Sequence, residues 1–410
     1  MAKKHKSFPT EALQTDVVIV GGGMNGLSLA CCLGRLGIET VIIDRENHTD
    51  MLKASFDGRT TAIAQGMKRM LKTLGIWQHI DAEATPILDI KIRDGNSPMV
   101  LHFDHKMAGT EPMGYIVENH IIRQALAKTL KEYPSVTLLD QAQATGIERT
   151  TDKIVVNTPT SSISANLLAG ADGRRSFVRK WAKIRTKSWA YGQTALVFLV
   201  SHSKDHQNWA HECFFPQGPL AFLPMTGNKS QVVWSLEGEN AEIALKNGKK
   251  QLINQLQAQF GNDLGDLTLE SDPVGYPLAF NHAYDYVAER IVLIGDAAHG
   301  LHPIAGQGLN VGMRDVAALA EMIADQQPTD LGNHFFLQSY NKARKPDVMS
   351  FAAATDGLNR LFGVKSRTIS LPRKLGIGLV GKIPPLRDFF IRQAMGTGVH
   401  TPRLFKGQAL

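Results

Sequence analysis

Residues 16–44 leave few folds open to this chain. The run DVVIV (16–20) is apolar and β-branched, as a strand buried on both faces requires. GGGMNG (21–26) follows and sets glycines in the GxGxxG spacing at Gly21, Gly23 and Gly26. A helix is expected over 24–36, stopped by Gly37, and then a second strand over 40–43 that ends at Asp44. In this order the first glycine allows a tight turn, the second lets a pyrophosphate approach backbone, and the third lets helix and strand pack closely. A phosphate would sit on the helix N-terminus, and Asp44, 18 residues after Gly26, can accept bonds from ribose hydroxyls. The order predicts a dinucleotide site without separating FAD from NAD.

A second constraint lies at 291–315, IVLIGDAAHGLHPIAGQGLNVGMRD. Residues 291–294 read as a buried strand ended by Gly295, with Asp296 at its carboxyl end, where open α/β sheets bind ligands. Pro303 stiffens the next loop, and Gly306 and Gly308 let backbone approach a flat ligand. A helical pattern runs from Leu309 through Ile323, so N–H groups at its start, near Asn310, can face electron-rich oxygens. GDAAH alone reads equally well as a ligand-binding strand end or as a plain strand, an Asp N-cap and a Gly-rich turn. The whole spacing of Gly295, Asp296, Pro303, Gly306, Gly308, Asn310 and Asp315 is far more specific.

Length and composition bound the rest. With 410 residues, 43% hydrophobic and 20% charged, the chain is an ordinary folded protein of two or three domains. Cys31, Cys32 and Cys213 form no CxxC, so neither a disulfide framework nor a zinc site is expected, which suits a reducing cytosol. The first 16 residues are basic without an apolar core and do not read as a secretory signal. Residues 17–34 are uncharged, but five glycines make them a strand, a turn and a helix rather than a membrane span. From Arg360 onward there are ten basic residues and one acid, Asp388, which more than accounts for the net charge of +7. The basic excess therefore belongs to the C-terminal tail, and no nucleic-acid groove is expected.

Between these motifs, FDGRTTAI (56–63) precedes a helix over 65–74, and Arg59 stands either as a surface ion pair or as a reach toward cofactor phosphates. Strands paired about Asp94-Gly95 are expected over 87–103, then a helix over 121–132 with Arg123 near its start. LLAGADGRRS (167–176) is a strand followed by Asp172-Gly173, which can buttress the glycine loop. Strands over 193–201, 211–215, 218–225 and 230–237, a helix over 241–260 and a return over 268–280 suggest an antiparallel sheet, the wall of a substrate pocket. Trp234, Phe222 and Phe214 are core residues first. His202, His206 and His211 lack metal-ligand spacing, and no nucleophile motif such as GxSxG occurs.

With GxGxxG, Asp172-Gly173 and GDAAHGLHPIAGQGLN present in this order, the chain resembles the class A flavoprotein aromatic hydroxylases, and within them the ubiquinone-biosynthesis hydroxylases. FDGRTTAI and YIVENHIIRQAL also resemble that branch, and the likeness runs from about Asp16 nearly to the C-terminus. The family often has Glu where this chain has Asp44, one carbon shorter, and the halogenase WxWxIP motif is absent. The resemblance implies an α/β fold: a discontinuous Rossmann-type FAD domain (16–85, 104–185 and 281–350), a β-sheet substrate domain (86–103 and 186–280) and a basic helical region (351–410). It implies that Gly21, Gly23, Gly26 and Asp44 hold the ADP half of FAD and that Arg45, Arg59 and Arg123 contact it from outside. Asp172 would support the phosphate loop. Gly295 and Asp296 would meet the ribityl or phosphate region, and Pro303, Gly306, Gly308, Leu309 and Asn310 would frame the ring.

The activity implied is hydroxylation of a polyprenylated phenol by NADH or NADPH and molecular oxygen, through a flavin hydroperoxide that must be kept from water. No catalytic base follows from the sequence. With no second GxGxxG, the nicotinamide is expected to bind only transiently. Residues 371–396 mix basic and apolar side chains, which suits either an anionic membrane surface on the cytoplasmic side or docking to quinone-biosynthesis proteins. Two other functions remain open: an NAD-dependent dehydrogenase, separated by the absence of flavin colour, and a non-catalytic FAD-retaining organiser, separated by the absence of phenol-dependent NAD(P)H consumption.

Overall fold

A computed structural model describes residues 11–53, 56–95, 97, 99–107, 109–302, 306–364, 383–398 and 401–410. Its central sheet is parallel at the core. Glu11–Val20 lies between Ser161–Gly170 and Thr40–Ile43, with Ile291–Leu293 beyond the first and Val136–Leu139 beyond the second. Val17, Val18, Ile19, Ile42, Leu167, Leu168, Ile291 and Val292 are fully buried, as strands covered on both faces demand. Met24–Arg35 packs against Asn119–Leu130 and Gly308–Gln326, and its C-cap Leu36 hands over to Gly37 at φ 72°.

The second sheet is mostly antiparallel. Its order is His299–Gly300, Val274–Ala283, Thr186–His202, Lys229–Glu237, Gly218–Met225, Trp209–Phe215, Asp89–Asp94 and Val100–Asp104. Period-two burial divides it into two faces. Leu196, Phe198, Leu220, Phe222, Val232 and Trp234 pack under the helices Gly238–Lys246 and Lys249–Phe260. The opposite face, with Ala210, Phe214 and Met225, turns toward Phe362, Ile391 and Met395 of the C-terminal helices His334–Gly363 and Pro384–Ala394.

Several expectations are corrected. The single helix expected over 241–260 is two, because Gly248 at φ 82° breaks it. The return over 268–280 splits into Leu267–Leu269 and Val274–Ala283. Residues 60–64, read only as a lead-in to a helix, form a strand Thr60–Ala64 paired with Gly114–Glu118 in a small third sheet with Thr85–Ile87. The strand Val274–Ala283 and the helix His334–Gly363 run without a break across residues 280 and 350. Pro303 and residues 371–382 lie outside the described residues.

Candidate active site

The glycine turn is built as its spacing requires. Gly21 has φ 108°, and a Cβ there would stand 2.5 Å from the Ala171 carbonyl oxygen. A Cβ on Gly26 would stand 1.9 Å from the Gly21 carbonyl oxygen, so the helix closes directly on the turn. Gly23 differs: nothing lies within 4 Å of where its Cβ would be. Gly23 is also the N-cap of Met24–Arg35 and offers no side-chain cap, so the first-turn N–H groups are left for a ligand.

Acids surround this space. Asp44 packs against Gly22, where a Cβ would come within 2.3 Å of its Oδ2. Its carboxylate also meets His48 Nε2 at 2.9 Å and accepts from Glu46 N at 3.3 Å. Arg45 beside it is exposed. Asp172 Oδ2 accepts from Phe177 N at 2.6 Å and Val178 N at 3.1 Å, while its Oδ1 is buried and unpartnered. Arg59 and Arg123 converge on Asp57: Arg59 Nε at 3.0 Å and Arg123 Nη2 at 3.4 Å. This pairing is compatible with the ion-pair reading of Arg59, although Arg59 also lines the cavity described below.

The late glycine segment meets the early one through Asn25. Gly295, at φ 56°, and Gly312 both leave room for the Asn25 side chain: a Cβ would come within 2.1 and 2.7 Å of its Nδ2. Asn25 Oδ1 is buried and unpartnered. Asp296 is exposed between buried neighbours at the carboxyl end of its strand. Beneath it, Gly295 N donates to Asp315 Oδ2 at 3.0 Å, His299 Nε2 meets the same oxygen at 2.6 Å, and Arg344 Nε donates to Oδ1 at 2.8 Å. Burial pushes the Asp315 carboxyl up, but His299 and Arg344 outweigh that and hold it below its ordinary value.

Gly306 has φ 60°, and its Cβ position is 3.2 Å from Ala62 Cβ. Gly308 opens the helix Gly308–Gln326 with no side-chain cap and nothing within 4 Å of its Cβ position. Asn310 is fully buried. It accepts from Ala64 N at 2.9 Å and donates to Ala62 O at 2.8 Å, tying the helix to the strand Thr60–Ala64. The Asn310 side chain is thus occupied by backbone.

From this segment a cavity of about 1270 Å³ extends over the open face of the second sheet. Gly306, Gln307, Leu309 and the strand Thr60–Ala64 form one part of its wall, and Leu358, Phe362, Phe390 and Ala394 another. Its lining is largely apolar, and its volume exceeds the ~300–1,000 Å³ usual for small-molecule sites. Phe214 faces it, while Phe222 and Trp234 belong to the opposite, helix-covered face. His202 bonds Lys204 O and Ser230 Oγ, and His206 bonds Met225 O and Gly227 O, so both are satisfied within the fold.

Open space at Gly23 and the free N–H donors of an uncapped helix start fit a phosphate-linked dinucleotide beside an apolar chamber, the arrangement of a flavoprotein oxidoreductase. The chain belongs to the family described as FAD binding domain, whose pattern matches residues 14–355. It is 42% identical over 401 residues to Ubiquinone hydroxylase UbiL of Rhodospirillum rubrum, spanning 96% of this chain and 93% of that protein. It is 30% identical over 426 residues to the Ubiquinone biosynthesis monooxygenase COQ6 of Xenopus tropicalis, spanning 91% of each. Among solved structures, p-nitrophenol 4-monooxygenase PnpA from Pseudomonas putida DLL-E4 shares the fold at TM-score 0.79 and 20% identity, covering 95% of this chain and all of that one.

Sequence reasoning missed Asn25, the partners His299 and Arg344 of Asp315, and Glu212, which lines the cavity. Asn25 lay inside a motif read only for its glycines. Arg344 meets Asp315 across 29 residues, and no spacing rule marks such a pair.

Proposed function

We propose that this protein is an FAD-dependent monooxygenase that hydroxylates the aromatic ring of a polyprenylated phenol in ubiquinone biosynthesis, with NAD(P)H and molecular oxygen. The observation that carries this reading is the chamber itself. A cavity of about 1270 Å³, walled by apolar side chains and joined to the glycine segment at Gly306–Leu309, has room for a ring and an attached isoprenoid chain. The test is conversion of a prenylated phenol by the purified holoenzyme, with product identified by mass. Consumption of NAD(P)H without oxygenated product would contradict it.

In this reading Gly21, Gly23 and Gly26 seat the pyrophosphate, Asp44 the ribose, and Arg45, Arg59 and Arg123 stand outside it. Asp172 supports the turn, Asp296 faces the ribityl chain, and Gly306, Gly308, Leu309 and Asn310 frame the ring. When bound, the flavin supplies reduction of dioxygen and delivery of one oxygen atom. The chain's own work is placement and exclusion of water. The uncapped start of Gly308–Gln326 presents N–H groups that stabilise negative charge on a neighbouring ring. Asn310 fixes the strand Thr60–Ala64 against that start. The sheet face and the C-terminal helices keep the chamber dry.

A lipid surface is the natural source of such a substrate. Phe389, Phe390, Leu386 and Leu361 are exposed on the two C-terminal helices beside Arg387 and Arg392, and Phe390 and Leu361 also line the cavity. Among the described residues no helix is long and apolar enough to cross a membrane. Peripheral contact with an anionic surface through this patch therefore suits the chamber's contents.

A further inference from the structure

The open face of the second sheet carries one row of side chains straight across the cavity floor. Register places Leu101 beside Ile92, Ile92 beside Glu212, Glu212 beside Ala221, Ala221 beside Val233 and Val233 beside Val197. Five members are apolar and one is a carboxylic acid. Strand alternation puts Glu212 on the same face as Ala210 and Phe214, whereas Cys213 and Phe215 turn to the helix-covered side. Glu212 lines the cavity. The side chain is largely buried, and its remaining accessible surface looks into that chamber. Among the described residues nothing bonds to the carboxyl.

An unpartnered acid on an apolar floor is costly to keep. Burial alone pushes the Glu212 carboxyl up to about 7. Among the described residues no charged side chain faces it from the elements packed around it. The strand Asp89–Asp94 offers Ile90 and Ile92, the strand Gly218–Met225 offers Pro219, Ala221 and Leu223, and the helices offer Leu358, Phe362, Phe390 and Ala394. Lys91 and Arg93 turn away, Lys91 over the Trp209 ring and Arg93 to Asp263 at 3.2 Å. His211 alternates to the far face, against Phe260. The remaining titratable groups of the wall, Arg59, Arg174 and Tyr276, come from other elements, and Tyr276 lies four strands away.

We propose that Glu212 receives the hydroxyl group of the phenolic substrate and acts as its general base. The proposal rests on the hydroxylase reading above and supplies the base that the sequence did not reveal. The phenol O–H bond breaks as a carboxyl O–H bond forms on Glu212. The electron pair left on oxygen spreads to the ortho and para carbons, where the oxygen atom is added. The O–O bond of dioxygen breaks as the new C–O bond forms, with NAD(P)H as the two-electron reductant. The proton displaced from that carbon ends in the water formed from the second oxygen atom, and Glu212 returns its own proton to the first oxygen. An ordinary Glu near 4.3 is a poor match for a phenol near 10, and a carboxyl raised to about 7 halves that gap.

The test uses full-length holoenzyme, wild type and E212Q, E212L and E212D, with 2-farnesylphenol and its methyl ether as probes. Binding is followed through the flavin absorbance on both sides of pH 7, and flavin content confirms that each variant is folded. Wild type should favour the phenol over the ether by roughly tenfold above about pH 7 and lose that preference below it. E212Q and E212L should show no such pH dependence, and their turnover above pH 7 should fall by about 100-fold or more. E212D should recover part of both. If wild type hydroxylates the phenol and E212Q keeps its preference and pH profile, Glu212 is not the base. If wild-type holoenzyme hydroxylates no phenol at all, the functional reading falls, and the proposal with it.

Discussion

Two glycines of one motif give opposite expectations. A Cβ at Gly26 would strike the Gly21 carbonyl, so Gly26→Ala should disturb the fold itself. Gly23 has an extended backbone at φ −70° and open space before it. Gly23→Ala should therefore melt within about 0.5 kcal/mol of wild type as apoprotein. It should nevertheless weaken FAD by roughly a hundredfold or more, since two hydrogen bonds to a charged group at about 1.5–3 kcal/mol each would be displaced. Calorimetry and flavin titration separate the two quantities. Protonation adds a second residue-scale prediction. Burial holds His211, His282 and His302 down at about 4, so each must stay neutral in the fold while the unfolded chain protonates near 6.5. Stability should therefore fall as pH drops from about 6.5 toward 4, and the unfolding midpoint should show it. Glu212 acts in the opposite sense: raised to about 7, it stays protonated in the fold where the unfolded carboxyl is ionised, and its contribution is lost between about 4.5 and 7. Glu212→Leu should consequently be more stable than wild type above pH 7. The glycines and Asp44 were legible because backbone conformation and chain spacing encode them. Glu212 was not, because what distinguishes it is the apolar row around it, assembled from six strands.

At the scale of elements, the site depends on one short strand being held to one helix. Asn310 supplies both bonds that fix Thr60–Ala64 to the start of Gly308–Gln326. Asn310→Ala leaves the Ala64 N–H and the Ala62 carbonyl unmet, costing about 1–3 kcal/mol for each group. Denaturant unfolding should register that loss, and flavin affinity should fall with it as the wall loosens. The parallel strands and the helices after each glycine turn could be read from periodicity. The strand at 60–64 could not, because its partner Gly114–Glu118 lies some fifty residues on and Thr-Thr-Ala-Ile also suits a loop. The break at Gly248 was overlooked because apolar spacing continues on both sides of it, and backbone conformation rather than side-chain pattern ends the first helix there.

At the scale of the whole molecule, the C-terminal helices join the fold to its surroundings. Leu404 and Phe405 are fully buried in the main core, and Gly66 N donates to Met395 O at 2.8 Å. Removing residues 360–410 would therefore expose core, and surface substitutions are the cleaner probe. Phe389, more than half exposed, touches the patch without building the core. Phe389→Asp should reduce flotation with anionic vesicles severalfold while leaving flavin content unchanged, at about 1 kcal/mol or more for a lost apolar contact and an added like charge. Equal flotation of both forms would remove the lipid-facing role. The large chamber was only partly foreseeable. Alternating strands announced a wall, but the row of facing residues and the helices that close it come from segments far apart in the chain.

The central claim is that this fold places an oxygen atom from dioxygen on a phenolic ring. The most direct measurement supplies the holoenzyme with NAD(P)H, a prenylated phenol and isotopically heavy dioxygen, then weighs the product. One heavy oxygen atom per hydroxylated ring is expected. Light oxygen in the product, or oxidation of NAD(P)H that yields only hydrogen peroxide with every prenylated phenol tried, would contradict it.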